Sequence, residues 1–314
     1  MKIVFFGSSH FAAPALEALL RKKYDVSLVV TQPDKKSGRG LHLSGTVIKS
    51  VAEKFSVKVY QPEKINAPEA ISFLKKQNAD LFVVIAYGQI LSQACLDIAK
   101  IFAINLHASL LPKYRGAAPI NWAIMKGEKS TGISVIKMNK KMDAGEVILD
   151  RNTEISPTDT AIDLENKLSV AAAEVLIEAL GLIERNTYKL LPQDSQKASL
   201  APKLRKSDGE INWEKSAGEI YNLIRGCLDW PGAFTYYRGK LLKICRAGIY
   251  PQELERKKSF PGEVAHIFKD SIVVAAGKGA LLIEELQPEG KRRMLAQEFL
   301  SGHKVCLGDI FGKK

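Results

Sequence analysis

Short apolar runs alternate with amphipathic stretches through the first half of the chain. Lys2–Phe6 (KIVFF) has the unbroken apolar character of a strand buried on both faces, and Gly7-Ser8-Ser9 ends it. Ala12–Lys22 then puts Ala15, Leu16, Leu19 and Leu20 on one helical face, and Val26–Val30 reads as a second strand. Helices are expected near Val47–Phe55 and Pro68–Gln77, and strands at Leu81–Ala86 and Ile101–Ile104. This strand–helix alternation predicts a Rossmann-like parallel sheet of the α/β class. A helix at Ile120–Met125 and a strand at Gly132–Met138 continue it. A long apolar stripe then runs Ala161, Leu164, Leu168, Ala172, Val175, Ala179 and Ile183. That helix should start at Ser156-Pro157-Thr158-Asp159, end near Asn186 and cover the sheet.

The pattern changes near residue 190. LLPQDSQKASLAPKLRKS (190–207) is polar, broken by two prolines, and carries four Lys and Arg against one Asp, so it reads as a basic linker. Beyond it, Ile220, Leu223, Ile224 and Leu228 mark an amphipathic helix. Strands are expected at Ala233–Tyr237, Leu241–Ala247, Gly262–Ile267, Ser271–Ala276 and Leu281–Leu286, with a hairpin turn at Arg238-Gly239. Five short strands suit a small barrel. The domains expected are therefore 1–189, Rossmann-like and catalytic, and 208–314, a small β-barrel. Two cores are also what 314 residues ordinarily require. Trp213 and Trp230 are expected in the second core.

The formal net charge of +12 makes an acidic macromolecular partner plausible, and the 190–207 segment has the densest positive charge. The longest clean apolar run, Leu81–Ala86, is far too short to span a bilayer, so no membrane is expected. MKIVFFGSS reads as a first strand and not a signal peptide. Cys95, Cys227, Cys245 and Cys306 are scattered among apolar neighbours, which fits small core residues in a reducing cytoplasm. His10, His42, His107, His266 and His303 have no ligand spacing, so no metal is expected.

Three features carry candidate chemistry. Gly7-x-Ser9-x-x-Ala12 is a degraded dinucleotide fingerprint; the glycine that admits a pyrophosphate is missing, so a tight turn is expected in place of an NAD site. Thr31–Gly45 is a long polar loop with Lys35, Lys36 and Arg39 among glycines. The third is NLHASLLPKYRGAAP from Asn105, followed after the next strand by Met142-Asp143-Ala144-Gly145. Asn105 and His107 are two apart and share one strand face. Asn105 can donate to an oxyanion, His107 can carry a proton near neutral pH, and Asp143 can orient the imidazole. A neighbouring carboxylate favours the imidazolium, and burial favours the neutral ring.

The literal string NLH-ASLLPKYRGAAPI with MDAG resembles the methionyl-tRNA formyltransferase family. FFGSSHFAAPALEALL, TQPDKKSGRG, VVIAYGQIL and LRKSDGEINWEKSA extend the likeness over nearly the whole chain. The resemblance implies a Rossmann-like domain without nicotinamide, an OB-like C-terminal barrel that binds tRNA, and 10-formyltetrahydrofolate as co-substrate. It implies Asn105, His107 and Asp143 as the catalytic set. It places Ala86, Tyr87 and Gly88 with Ser109, Leu110, Leu111 and Pro112 around the folate, and Lys35, Lys36 and Arg39 on the tRNA. Initiator methionyl-tRNA is the implied acceptor, and a monomer is expected. Three readings compete: a related formyl transfer to a sugar-nucleotide amine or to glycinamide ribonucleotide, a nicotinamide oxidoreductase with an appended domain, against which the missing glycine argues, and a non-catalytic RNA-binding protein.

Overall fold

The computed structural model describes residues 1–37, 42–252 and 259–312. The first half runs β1 (Lys2–Gly7), α1 (Ala13–Arg21), β2 (Asp25–Val30), β3 (Lys35–Ser37), β4 (His42–Ser44), α2 (Val47–Lys54), β5 (Val59–Tyr60), α3 (Pro68–Lys75), β6 (Leu81–Ile85), α4 (Gln93–Leu96), β7 (Phe102–His107), α5 (Pro119–Met125), β8 (Ser130–Lys137), β9 (Val147–Glu154) and α6 (Ala161–Glu184). It continues as α7 (Ala217–Gly226), β10 (Phe234–Tyr237), β11 (Lys240–Ile249), β12 (Val264–Ile267), β13 (Ile272–Ala275), β14 (Ala280–Pro288), β15 (Met294–Leu295) and α8 (Ala296–Gly302).

Seven strands form one sheet in the order β5-β2-β1-β6-β7-β8-β9. The pairs from β5 to β7 are parallel, as the strand–helix alternation predicts. The sheet is nevertheless mixed: β7–β8 and β8–β9 pair antiparallel. For β8–β9 the reason is local, since these two strands are joined by a loop with no crossover helix, and only an antiparallel pair can close that way. β1 and β6 are buried almost throughout, which explains their continuous apolar runs. β7 extends three residues past the expected Ile104, carrying Asn105 and His107 within the ladder.

The expected loop Thr31–Gly45 contains a small hairpin. β3 and β4 pair antiparallel, Lys35 opposite Ser44. Asp34 at its base accepts from Lys49 Nζ (2.6 Å) and Gln61 Nε2 (2.6 Å), which hold its carboxyl below the usual range. α2 starts where Thr46 Oγ1 caps the Lys49 amide (3.1 Å). α6 starts at Ala161, two residues after the expected cap Asp159, because Thr160 and Asp163 close a reciprocal cap (3.0 and 3.2 Å). No helix among the described residues is long and apolar enough to cross a membrane.

The chain divides into two compact units. The first comprises Met1–Pro119, Ser130–Glu154 and Glu165–Pro202, and the second Ile120–Lys129, Ile155–Leu164 and Lys203–Lys314. Two short pieces of the first half thus join the second unit, where Asn121 Nδ2 donates to the Gly226 carbonyl (2.8 Å). The second unit is an antiparallel sheet, β10-β11-β14-β13-β12 with β15 on β14, in an OB-like barrel. Ile310 bridges Glu263 and Phe311 bridges Tyr237, so one C-terminal segment closes both edge strands. Trp213 is buried and donates to Thr235 Oγ1 (3.0 Å). Trp230 is exposed, contrary to expectation, in the turn that follows α7. Cys95 and Cys227 are buried, and burial pushes both thiols up to about 12. Cys306 is exposed and is not a core residue.

Gly132 shows how closely the functional half is packed. A Cβ there would overlap the Arg151 carbonyl oxygen and approach Leu110 Cδ2 to 2.6 Å. Gly132→Ala is therefore expected to destabilise the first unit by roughly 1–3 kcal/mol, the usual range for overpacking. Urea unfolding followed by a probe in that unit measures it, and an unchanged midpoint would contradict the packing described.

Candidate functional site

The site is built on the carboxyl ends of β1, β6 and β7, the edge where open α/β sheets place ligands. At β1, a Cβ on Gly7 would approach Phe5 Cε1 to 2.8 Å and Ile85 O to 3.2 Å, so the fingerprint glycine serves a tight turn. Ser8 Oγ donates to the Tyr87 carbonyl (2.9 Å) and accepts from the Gln32 amide (3.1 Å). Gln32 Nε2 also donates to the Tyr87 carbonyl (3.2 Å). The Ala86-Tyr87-Gly88 loop is thereby tied to two strands. Ala86 (φ 46°) and Gly88 (φ 89°) take left-handed backbone on either side of Tyr87. The Tyr87 ring is buried edge-on against Phe6 at 5.6 Å, and burial raises its phenol well above the ordinary range. Its hydroxyl is buried without a protein partner.

Asn105 and His107 sit on β7 opposite Ile136 and Ser134 of β8, all facing one side. Asn105 is half-buried and its amide makes no hydrogen bond among the described residues, so the donor is available. His107 is buried. Its Nε2 lies 2.9 Å from the Tyr114 carbonyl oxygen. A carbonyl can only accept, so Nε2 carries the hydrogen and Nδ1 is the nitrogen that gains or loses a proton. Nδ1 faces Asp143 Oδ2 at 3.6 Å.

Asp143 reaches that position indirectly. Because β7 and β8 run antiparallel, β8 leaves the sheet beside Ile104, at the far end of β7 from His107. The loop between β8 and β9 must fold back along the sheet to present Asp143. Asp143 adopts φ 49°, and its Oδ2 accepts from the Gly116 amide (2.9 Å). A Cβ on the neighbouring Gly145 would overlap the Lys137 carbonyl, so the return path demands glycine there.

The Ser109–Pro112 segment is held by one buried hydroxyl. Ser134 Oγ donates to the Ser109 carbonyl (2.8 Å) and accepts from the Leu111 amide (3.0 Å). Ser109 Oγ donates to the Lys113 carbonyl (2.7 Å). Leu110 is half-buried, Leu111 is buried against Ile136 and Val147, and Pro112 follows a cis peptide. The turn places Tyr114 at φ 59° with its carbonyl on His107.

Four framework residues escaped the sequence reading: Ser134, Arg115, Gln193 and Ser199. The segment read as linker returns to the first unit. Leu191 bridges Val147, Ser199 Oγ accepts from the Tyr114 amide (2.9 Å), and Ala201 exchanges backbone bonds with Arg115 (2.7 Å) and Ala118 (3.1 Å). Arg115 donates to Gln193 Oε1 through Nε (3.0 Å) and Nη2 (2.6 Å). No periodicity or motif announces such contacts, which depend on a polar strand-free segment folding back. Of the basic loop, Lys35 is exposed on β3, Lys36 lies on the same strand, and Arg39 lies outside the described residues.

A histidine held between a carbonyl and a carboxylate, on the same strand face as an amide side chain, is an arrangement that acyl-transfer chemistry can use, here on a Rossmann-like sheet. Residues 1–180 match the formyl transferase family, and residues 203–304 match the formyl transferase C-terminal domain. The chain belongs to the formyl transferase family. Full-length relatives at 39–45% identity include methionyl-tRNA formyltransferases. That of Acetivibrio thermocellus is 45% identical over 100% of both chains, and that of Caldanaerobacter subterraneus subsp. tengcongensis 45% over 99% of both. Among solved structures, WlaRD, a sugar 3N-formyl transferase crystallised with dTDP and 5-N-formyl-THF, superposes with a TM-score of 0.69. It does so at 21% identity, over 93% of this chain and 99% of that one. HypX from Aquifex aeolicus in complex with tetrahydrofolic acid gives 0.62 at 18% identity, over 96% of this chain and 47% of that one. At such identities the likeness is one of fold.

Ser134→Ala would leave the Leu111 amide without its acceptor in a buried place. The expected cost is about 1–3 kcal/mol, with faster hydrogen exchange at Leu111. Exchange at Leu111 equal to that of the unsubstituted chain would show that another group holds this turn.

Proposed function

We propose that the chain transfers the formyl group of 10-formyltetrahydrofolate to the amino group of initiator methionyl-tRNA. The observation that carries this reading is the His107 clamp, with Nε2 on the Tyr114 carbonyl and Nδ1 on Asp143, in a chain whose full-length relatives bear that name.

In this reading the amine nitrogen attacks the formyl carbon, and the carbonyl electron pair moves onto oxygen. Asn105 donates to that oxyanion, which forms only as the tetrahedral species develops. The amine proton passes to His107 Nδ1, through a water where the distance requires it. Asp143 stabilises the ring while it carries that charge. Collapse re-forms the carbonyl and breaks the bond to N10 of the folate, which takes the proton. No covalent enzyme intermediate is needed. Ala86, Tyr87 and Gly88, together with Ser109, Leu110, Leu111 and Pro112, receive the folate. The fastening of both loops supports that role, because a rigid backbone can offer its amides and carbonyls without an ordering cost.

Formyl transfer is assigned to 1–189 and tRNA binding to the 208–314 barrel, with 190–207 as the basic connection between them. Lys35, Lys36 and Arg39 would meet the acceptor end of the tRNA. Their charge, the chain's net +12 and an OB-like barrel support this assignment. A cytoplasmic monomer completes the proposal.

The test is incubation with 10-formyltetrahydrofolate and methionyl-tRNA, scoring formyl-methionine. Transfer is expected for the unsubstituted chain. Asn105→Ala, His107→Ala and Asp143→Ala should each lower kcat severely, about 10²–10³-fold where an oxyanion donor is lost. A folded His107→Ala chain with near-normal turnover removes His107 from the mechanism. Formylation of a sugar-nucleotide amine with none of methionyl-tRNA would replace the acceptor.

A further inference from the structure

We propose that Gln193 is a positioning residue for Asp143, holding the folded-back loop through its side-chain amide. The proposal rests on the reading of Asp143 as part of the transfer site. Gln193 uses both ends of that amide. Nε2 donates to the Asp143 carbonyl (2.9 Å) and to the Gly145 carbonyl (2.7 Å). Oε1 accepts from Arg115 Nε (3.0 Å) and Nη2 (2.6 Å). One side chain therefore ties the loop that carries Asp143 to the loop that carries Tyr114 and Gly116, the two groups nearest His107 and the Asp143 carboxylate.

The need for such a tie follows from the backbone. Asp143 is a non-glycine residue at φ 49°, a conformation that persists only where its surroundings hold it. Among the described residues its carboxylate accepts one hydrogen bond, from the Gly116 amide, and that amide is itself on a loop (φ 127°) pressed against the Ala201 carbonyl. Gln193 holds the backbone on both sides of Ala144, donating to the Asp143 and Gly145 carbonyls. Without these donors the loop is free to relax toward negative φ, and Asp143 Oδ2 leaves its place 3.6 Å from His107 Nδ1. Gln193 comes from the segment before Pro202, so the returning chain sets the geometry of a side chain fifty residues earlier.

Donation and acceptance are separable. Gln193→Glu keeps oxygens for Arg115 but has no hydrogen for the two carbonyls, and instead sets an anion against them. Gln193→Ala removes both connections. Both variants are expected to lower kcat by roughly 10–10²-fold, the scale of an ångström-sized misplacement, with the KM for the folate little changed. Both should also speed hydrogen exchange at the Gly116 amide toward the rate seen in Asp143→Ala, because that amide reports directly on the carboxylate. A Gln193→Glu chain with unchanged kcat and unchanged Gly116 exchange would overturn the proposal, leaving the Arg115 bond as the relevant one. Loss of kcat with Gly116 protection intact would overturn it as well. If the unsubstituted chain transfers no formyl group to methionyl-tRNA, the functional reading fails, while Gly116 exchange still decides whether Gln193 holds Asp143.

Discussion

The contact on which the site depends is the hydrogen bond from His107 Nε2 to the Tyr114 carbonyl. It decides which nitrogen of the ring is permanently protonated, and so which one is left to work. With Nε2 committed, Nδ1 faces the Asp143 carboxylate, and the ring can turn neither way without breaking a buried hydrogen bond. A free carboxylate–imidazole pair would not define a direction for proton movement. A clamped ring does, and it needs both a carbonyl and a carboxylate delivered by loops from opposite ends of the same sheet.

The strained backbone of the first unit is concentrated where these loops approach the ring. Most non-glycine residues at positive φ have an ordinary place. Lys23, Ser56, Asn78 and Asn186 lie just beyond helix ends, and Arg238 is in a hairpin turn. Ala86, Tyr114 and Asp143 have no such explanation. Each lies in a loop that frames the candidate site, and each is held by side chains from elsewhere: Ser8 and Gln32 at the Tyr87 loop, Ser199 at Tyr114, Gln193 at Asp143. Strain of this kind persists because the surrounding hydrogen bonds over-determine it. The returning segment 190–202 is thus as much a part of the site's framework as the strands that carry its residues.

Much of this was legible in the sequence. The apolar runs of β1, β2, β6 and β7 announced a buried parallel core, and two-residue spacing put Asn105 and His107 on one face. The start of the long helix α6 was legible to within two residues, and the Arg238-Gly239 turn follows from local chemistry that acts over a few residues. The antiparallel pairing of β7 with β8 was missed because a strand's own periodicity does not reveal its partner's direction, and β9 was not read as a strand at all. Trp230 was misplaced because an aromatic residue in a short turn carries no periodic signal at all. Ser134, Gln193 and Ser199 were hidden for a related reason: a single polar side chain reaching across 23 to 85 residues of sequence leaves no local trace. Lys35 was visible as charge, and its strand pairing was not.

The central claim is the state of the His107 ring, and long-range ¹H–¹⁵N correlation spectra of ¹⁵N-histidine-labelled protein test it most directly. The neutral His107 ring is expected as one tautomer, with the hydrogen on Nε2 and an unprotonated Nδ1. Tyr114 donates nothing to the ring, so Asp143→Asn should leave that tautomer in place. A neutral His107 carrying its hydrogen on Nδ1 would contradict the clamp, and with it the direction of proton movement assigned to this site.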